Sequence, residues 1–284
     1  MKLKIGCFQL ALKKTDNFEL IINKINNFLS KNSVDMIILS ELAVGGPGAK
    51  NERFYLNNYI DKFSDIALKN NIWLIPGTFY EKLENKIFNV APVINNSGKV
   101  VAKAYKMFPW LPYEENVEMG NQFCTFEYPG FGNIGIHICY DLWFPESSRQ
   151  LSLSGSIAIV NPTLTPTKDR DIETIMVRAT AAQQQLYYID INSTGEQGNG
   201  LSIISDPCGE VIHQSSDSED IFIIEICSDY VEEVRKEGMY KLGQPIKSFR
   251  DHPYFRNSYT MNSEYLDSLG KLKKPDKQWN HQIY

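Results

Sequence analysis

The chain has no Cys-x-x-Cys pair, and its four histidines (His137, His213, His252 and His281) are scattered without metal-ligand spacing. No metal site is therefore expected. There is no Gly-x-Gly-x-x-Gly string and no P-loop, so no nucleotide or other cofactor is expected. No run of 18 apolar residues occurs, and the start Met1-Lys2-Leu3-Lys4-Ile5 goes straight into a strand pattern without an apolar leader. A soluble, cytoplasmic protein with no membrane partner is expected. Basic blocks are absent as well, and a net charge of -5 argues against a nucleic-acid partner. Five cysteines (Cys7, Cys124, Cys139, Cys208 and Cys227) are odd in number and widely spaced, which excludes a disulfide framework. No Ser/Gly-rich linker interrupts the 284 residues, so one domain spanning 1–284 is expected.

What is present is a regular alternation of short apolar runs and amphipathic helices. A strand is expected over 4–9. A helix follows with Phe18, Ile21, Ile22, Ile25, Phe28 and Leu29 on one face, and Asp16 with Glu19 as its capping box. A strand over 35–40, the loop Gly45-Gly46-Pro47-Gly48, a helix with Ile60, Phe63, Ile66 and Ala67, and a strand over 73–80 come next. A hairpin is expected over 87–95 and 99–105, around Asn95-Asn96-Ser97-Gly98. Strands over 123–128 and 133–138 lead to a sharp turn and a helix opening at Pro145. A strand over 156–161 precedes a helix with Ile172, Ile175, Met176, Ala179 and Ala182 on one side. Strands over 186–192, 201–205, 211–214 and 221–226 complete the pattern, with Asp206-Pro207-Cys208-Gly209 as a type I turn.

The two halves repeat one order: strand, helix, strand, helix, then strands closing in a turn before Gly-(Lys/Glu)-Val-(Val/Ile). That order predicts an α/β fold, a four-layer α-β-β-α sandwich of two face-to-face mixed sheets with outer helices. The tail from about 240 to 284 carries Pro245, Pro253 and Pro275. It is either a segment lying at a subunit interface or a loosely ordered terminus.

Three chemically active residues stand at three expected strand ends: Glu41, Lys106 and Cys139. Reactive groups gather outside the carboxyl ends of strands in α/β folds. Each alone also reads blandly, as a loop carboxylate, a surface lysine and a core cysteine. Together they have compatible tasks. A carboxylate takes the proton of a thiol, and a lysine steadies the oxyanion formed when the thiolate attacks a carbonyl or nitrile carbon. The backbone N–H of Tyr140 is the expected second donor. Cys139 precedes a helix, whose positive end favours the thiolate. His137 falls on the same strand face as Cys139 but about 7 Å away along the chain, a minor candidate.

With these residues in place, the chain resembles the nitrilase superfamily of carbon–nitrogen hydrolases over nearly its whole length. The strings Ile138-Cys139-Tyr140-Asp141 and Phe144-Pro145-Glu146, the pair Arg178-Ala179, and Asn192 carry the resemblance. It implies that Glu41, Lys106 and Cys139 are the family's Glu-Lys-Cys set, on a sandwich fold that assembles as a homodimer or a higher homo-oligomer. The stretch Lys106-Met107-Phe108-Pro109-Trp110-Leu111-Pro112-Tyr113-Glu114 resembles aliphatic amidases and formamidases. Their second active-site glutamate maps onto Glu114, with Glu115 as the rival, and it would orient substrate and water.

The chain departs from the family in having Ser40 where a proline is usual, and Glu115-Asn116-Val117-Glu118-Met119-Gly120 in place of an aromatic-rich segment. Leu142-Trp143-Phe144-Pro145-Glu146 resembles the branch that hydrolyses N-carbamoyl amines. The implied activity is cleavage of a small amide to a carboxylic acid and ammonia through a cysteine thioester. A carbamoyl-amine hydrolase, a nitrilase and a non-catalytic scaffold are the alternatives. Trp110 and Trp143 are the expected pocket walls for a small-molecule amide or carbamoyl substrate.

Overall fold

The computed structural model describes residues 1–111, 113–255, 259 and 263–271. Its first sheet contains β1 (Lys2–Gln9), β3 (Met36–Leu39), β4 (Trp73–Ile75), β5 (Phe79–Leu83), β6 (Lys86–Ile94), β7 (Val100–Tyr105) and β15 (Asp220–Cys227). Their order is β15-β1-β3-β4-β6-β5, with β7 also pairing β6. β1, β3 and β4 run parallel, while β15, β5 and β7 join antiparallel to their neighbours.

The second sheet contains β8 (Cys124–Tyr128), β9 (Gly132–Ile136), β10 (Ala158–Pro162), β11 (Tyr187–Ile191), β13 (Ile203–Ser205) and β14 (Val211–Gln214), in the order β14-β13-β11-β10-β9-β8. β9, β10 and β11 are parallel, with antiparallel strands on either side. Each half thus has a parallel centre and an antiparallel flank, as the repeated sequence order predicts. A two-stranded ribbon of β2 (Ala11–Leu12) and β12 (Thr194–Gly195) links the halves.

The helices are α1 (Phe18–Leu29), α2 (Ile60–Asn70), α3 (Pro145–Leu153), α4 (Arg170–Gln184), α5 (Ser228–Glu237), α6 (Pro245–Asp251) and α7 (Ser263–Ser268). Three clusters define the layers. Ile5, Met36, Ile38 and Val93 of the first sheet meet Ile134, Val160, Ile189 and Ile204 of the second. Ile21, Ile25 and Phe63 of α1 and α2 cover the outer face of the first sheet at Ile37, Leu39 and Leu74. Leu151, Val177 and Ala181 of α3 and α4 cover the second at Ile159, Tyr188 and Ile203. The order is α-β-β-α, the sandwich expected from the sequence. Because both faces of each sheet are covered, the central strands read as unbroken apolar runs.

Several local expectations are corrected. Asp16 and Glu19 do not form a capping box. Asn17 holds the N-cap position without a side-chain cap bond, and Asp16 Oδ1 accepts the Phe18 N–H at 3.0 Å. The strand expected over 73–80 is two strands, parted at Pro76-Gly77. A Cβ on Gly77 would lie 1.9 Å from the Ser40 carbonyl oxygen, and its φ of +76° suits only glycine without strain.

On α4 the inward face is Arg170, Glu173, Val177, Ala181 and Gln184, while Ile172 and Ile175 are 47% and 62% exposed. Apolar periodicity misjudged this phase because two of the inward residues are charged and paired. Beyond residue 240, Ile246, Leu266 and Leu269 pack on Leu153 of α3, so part of the tail is held by its own chain. Residues 272–284, with Pro275 and His281, lie outside the described residues. Among the described residues no helix is long and apolar enough to cross a membrane.

Candidate active site

Glu41 follows β3 and is only 3% exposed. The Pro76-Gly77-Thr78 turn passes hard against it, and the Thr78 hydroxyl accepts the Leu42 N–H at 3.1 Å. From the other sheet, the carbonyl of Thr163 accepts the Glu41 N–H at 3.2 Å. The backbone at Glu41 and Leu42 is therefore held by groups from both halves.

Lys106 follows β7, is 2% exposed, and donates to two carboxylates: Glu41 Oε1 at 2.8 Å and Glu114 Oε2 at 2.7 Å. Asn89, in the middle of β6, spans the same pair, with Nδ2 at 2.8 Å from Glu41 Oε1 and 3.0 Å from Glu114 Oε1. Glu114 also accepts the Trp110 N–H at 2.8 Å, which closes the loop after Lys106 around the ammonium. Glu115, the rival in sequence, is exposed. Burial opposes charge on Lys106, yet Glu41, Cys139 and Glu114 around it hold its pKa well above the usual lysine value. Burial pushes Glu41 up; Lys106 pulls it down and Glu114 adds to the rise.

Cys139 does not simply end a strand. β9 stops at Ile136, and Cys139 opens a 3-10 helix, Cys139–Trp143, before α3 begins at Pro145. Its φ is +49°, a left-handed conformation that few non-glycine residues adopt. The buried Asp141 carboxylate fixes this turn. It accepts the Ile138 N–H at 3.0 Å and, from the loop after Lys106, the Phe108 N–H at 2.9 Å.

The Cys139 thiol lies 3.9 Å from both the Leu164 carbonyl oxygen and the Thr165 hydroxyl, and it lines the same cavity as Glu41. Burial, then Glu41, push its pKa well above the ordinary thiol value, against the pull of Lys106. Tyr140 is in the first turn of the 3-10 helix, where N–H groups lack partners within the helix. His137 lies beyond the end of β9, so strand alternation no longer places it beside Cys139. Its Nδ1 shares a 2.9 Å hydrogen bond with the Tyr188 hydroxyl, and burial lowers its pKa to about 3.

A cavity of about 260 Å³ brings Glu41, Lys106, Glu114 and Cys139 together. Tyr80, Trp110 and Leu164 are among its walls. Trp143 lies outside this lining; its indole N–H donates to Glu173 at 3.1 Å. Arg178 donates to the Gly209 carbonyl at 3.0 Å, and Asn192 braces the backbone of Thr165. Sequence reasoning missed Asn89 and Asp141. A lone asparagine inside the apolar run Ile87–Ala91 was the available signal for the first. Among the described residues no cluster of three His, Cys, Asp or Glu side chains is arranged to hold a metal ion.

A family model described as carbon-nitrogen hydrolase matches residues 4–236. The chain is 28% identical over 265 residues to the deaminated glutathione amidase of Dictyostelium discoideum, covering 82% of this chain and 90% of that protein. Its fold matches Nit3 of Saccharomyces cerevisiae, a member of branch 10 of the nitrilase superfamily, with a TM-score of 0.74 at 22% identity over 82% of this chain and 93% of that one. It also matches an amidase from Nesterenkonia sp. AN1, with a TM-score of 0.72 at 18% identity, over 81% of this chain and 93% of the other. In that structure the acetamide moiety of fluoroacetamide is covalently added at the active-site cysteine.

Proposed function

The chain belongs to the carbon–nitrogen hydrolase family, and from that premise we propose that it cleaves a small amide to a carboxylic acid and ammonia through a thioester on Cys139. The observation that carries this reading is the Lys106 ammonium, buried between Glu41 and Glu114 in the cavity that also holds Cys139. A buried ion pair is by itself weak evidence of a stabilising role, since replacing such a pair with apolar residues is often neutral or better. It is suited to stabilise charge that develops on a bound carbonyl oxygen.

In the first half-reaction Glu41 takes the thiol proton as the Cys139 sulfur bonds to the carbonyl carbon. Lys106 and the Tyr140 N–H donate to the oxyanion; one such donor is worth about 3–4 kcal/mol of barrier. The C–N bond then breaks, and Glu41 returns the proton to the departing nitrogen. In the second half-reaction Glu41 takes a proton from water, which Glu114 positions. Hydroxide displaces the sulfur, and the proton restores the thiol. Burial is the largest cause of the raised pKa of both Glu41 and Cys139. The cavity falls just below the range of about 300–1,000 Å³ usual for drug-sized ligands, which favours a short substrate.

A panel of short aliphatic amides assayed for ammonia release tests the activity, with mass spectrometry to locate the acyl group. An adduct on Cys139 and loss of turnover in Cys139→Ala are expected. Turnover that survives Cys139→Ala, or an adduct on another residue, refutes the scheme. A second reading, hydrolysis of carbamoyl amines, is favoured by the string Leu142-Trp143-Phe144-Pro145-Glu146. It is distinguished by carbon dioxide released together with ammonia.

A further inference from the structure

Behind the cavity lies an ion triad that the reaction scheme does not use. Arg170, at the start of α4, is completely buried, as is Asp190 of β11, and Glu173 is 3% exposed. The guanidinium donates to Glu173 Oε2 at 3.1 Å and Asp190 Oδ1 at 2.5 Å, and two further donors reach the carbonyls of Gly200 at 3.2 Å and Leu201 at 2.7 Å. Two carboxylates around one buried cation are an unfavourable choice if holding the fold were the only task.

The free oxygens of this triad all lead toward the reacting residues. Asp190 Oδ2 accepts from the Thr163 hydroxyl at 3.0 Å and from Asn161 Nδ2 at 2.8 Å. The Thr163 carbonyl accepts the Glu41 N–H at 3.2 Å, and Asn161 Nδ2 lies 3.5 Å from the Cys139 carbonyl oxygen. Glu173 Oε1 accepts from the Thr165 hydroxyl at 3.3 Å and from the Trp143 indole, and that same hydroxyl is 3.9 Å from the Cys139 sulfur.

We propose that Arg170, Asp190 and Glu173 are positioning residues that set the distance between Glu41 and Cys139. Resting on the reading of Cys139 as nucleophile and Glu41 as base, the proposal assigns the triad one physical task. Glu41 belongs to the first sheet and Cys139 to the second, so their separation depends on how the sheets dock. The segment Asn161 to Thr165, at the end of β10 and just beyond it, lies between them. Asp190 anchors the start of that segment through two side chains, and Glu173 anchors its end through a third. Arg170 holds the two carboxylates at one spacing. The separation of the thiol and its base is thereby held by a charge group that no step of the reaction scheme uses.

Thr163→Val tests the link without removing a charge. It keeps the side-chain shape and deletes the hydroxyl that ties Thr163, whose carbonyl holds the Glu41 N–H, to Asp190. A fall in kcat of roughly ten- to a hundredfold is expected, because small misplacements of reacting groups cost that much. KM should change less than about twofold, and the rate at which iodoacetamide alkylates Cys139 should fall with kcat. Thr163→Ser should restore both. Asp190→Asn should behave like Thr163→Val with a larger loss of kcat; if that variant fails to fold, Thr163→Val alone decides. Full kcat and an unchanged alkylation rate in folded Thr163→Val overturn the proposal. Cys139→Ala, assayed in parallel, separates the two readings. Turnover surviving there refutes the nucleophile assignment itself, whereas its loss beside a fully active Thr163→Val refutes only the positioning role.

Discussion

The Asp141 carboxylate accepts the Phe108 N–H at 2.9 Å, so the turn that carries Cys139 is tied directly to the loop that leaves Lys106. The same carboxylate takes the Ile138 N–H at 3.0 Å, and Met107 N lies 3.5 Å from it. One buried side chain therefore links the turn of Cys139 to the loop of Lys106 across the two sheets. Asp141→Ala would strand these donors without water. A loss of about 2–4 kcal/mol of stability is expected, since each buried unsatisfied group costs about 1–3 kcal/mol. Urea unfolding of the variant measures it. A loss below about 0.5 kcal/mol, the range of ordinary surface substitutions, would contradict the role given to Asp141.

Asn89 donates to both carboxylates that flank Lys106 and is completely buried. Asn89→Leu keeps the volume and removes the donor. Hydrogen bonds to charged groups are worth about 1.5–3 kcal/mol, so kcat/KM for amide hydrolysis should drop by roughly ten- to a hundredfold. Asn89→Asp adds a third negative charge at the same point and should cost more. Steady-state ammonia release compares the three proteins, and an Asn89→Asp enzyme as active as the parent would rule the electrostatic account out.

Glu114 and Glu115 are neighbours in sequence with opposite environments. Only Glu114 reaches Lys106, at 2.7 Å. Glu114→Gln should lower kcat/KM by about a hundredfold or more, the range for a positioned acid–base group. Glu115→Gln should stay within about twofold, as an exposed side chain away from the ion cluster would. Initial rates at saturating and limiting amide distinguish them, and a reversal of the two effects would transfer the assignment to Glu115.

His137 and Asp141 impose opposite slopes on stability against pH. Burial lowers His137 to about 3, below its unfolded value of 6.5. Between these values the unfolded chain holds the extra proton, so stability is lost as pH falls, by up to about 1.4 kcal/mol per unit. Burial raises Asp141 to about 7, above its unfolded value of 3.8. Over that window the folded chain holds the extra proton, and stability is lost as pH rises. His137→Asn removes the first slope and leaves the second. The difference in unfolding free energy between variant and parent, measured from pH 4 to pH 7, should therefore change steadily in favour of the variant as pH falls. A difference independent of pH would show that His137 is not held neutral by burial.

The parts legible in the sequence are those where polarity changes abruptly along the chain. Glu41 stands just past the fully buried run Met36–Leu39, and Lys106 and Cys139 stand past the ends of β7 and β9, so each marks a change of character near a strand end. Asn89 was not legible because one polar residue inside a strand looks like an imperfection until its partners are known. Arg170 and Asp190 were hidden for a related reason: they lie on different elements, and only the packing of α4 against β11 makes them a pair. That pairing also turned α4 away from its apolar stripe, leaving Ile175 outside. The Pro76-Gly77 break was a readable turn signal, but apolar residues on both sides masked it.

Glu41 and Lys106 leave the first sheet and Cys139 leaves the second, so neither half of the sandwich carries the reacting set by itself. A refolding chain that has formed one sheet, or both sheets undocked, has secondary structure but no thiol beside a base. Under the proposed amide hydrolysis, ammonia production during refolding would report the docking of the halves as a single late event. Recovery of far-ultraviolet circular dichroism ahead of activity would measure how long the undocked state persists.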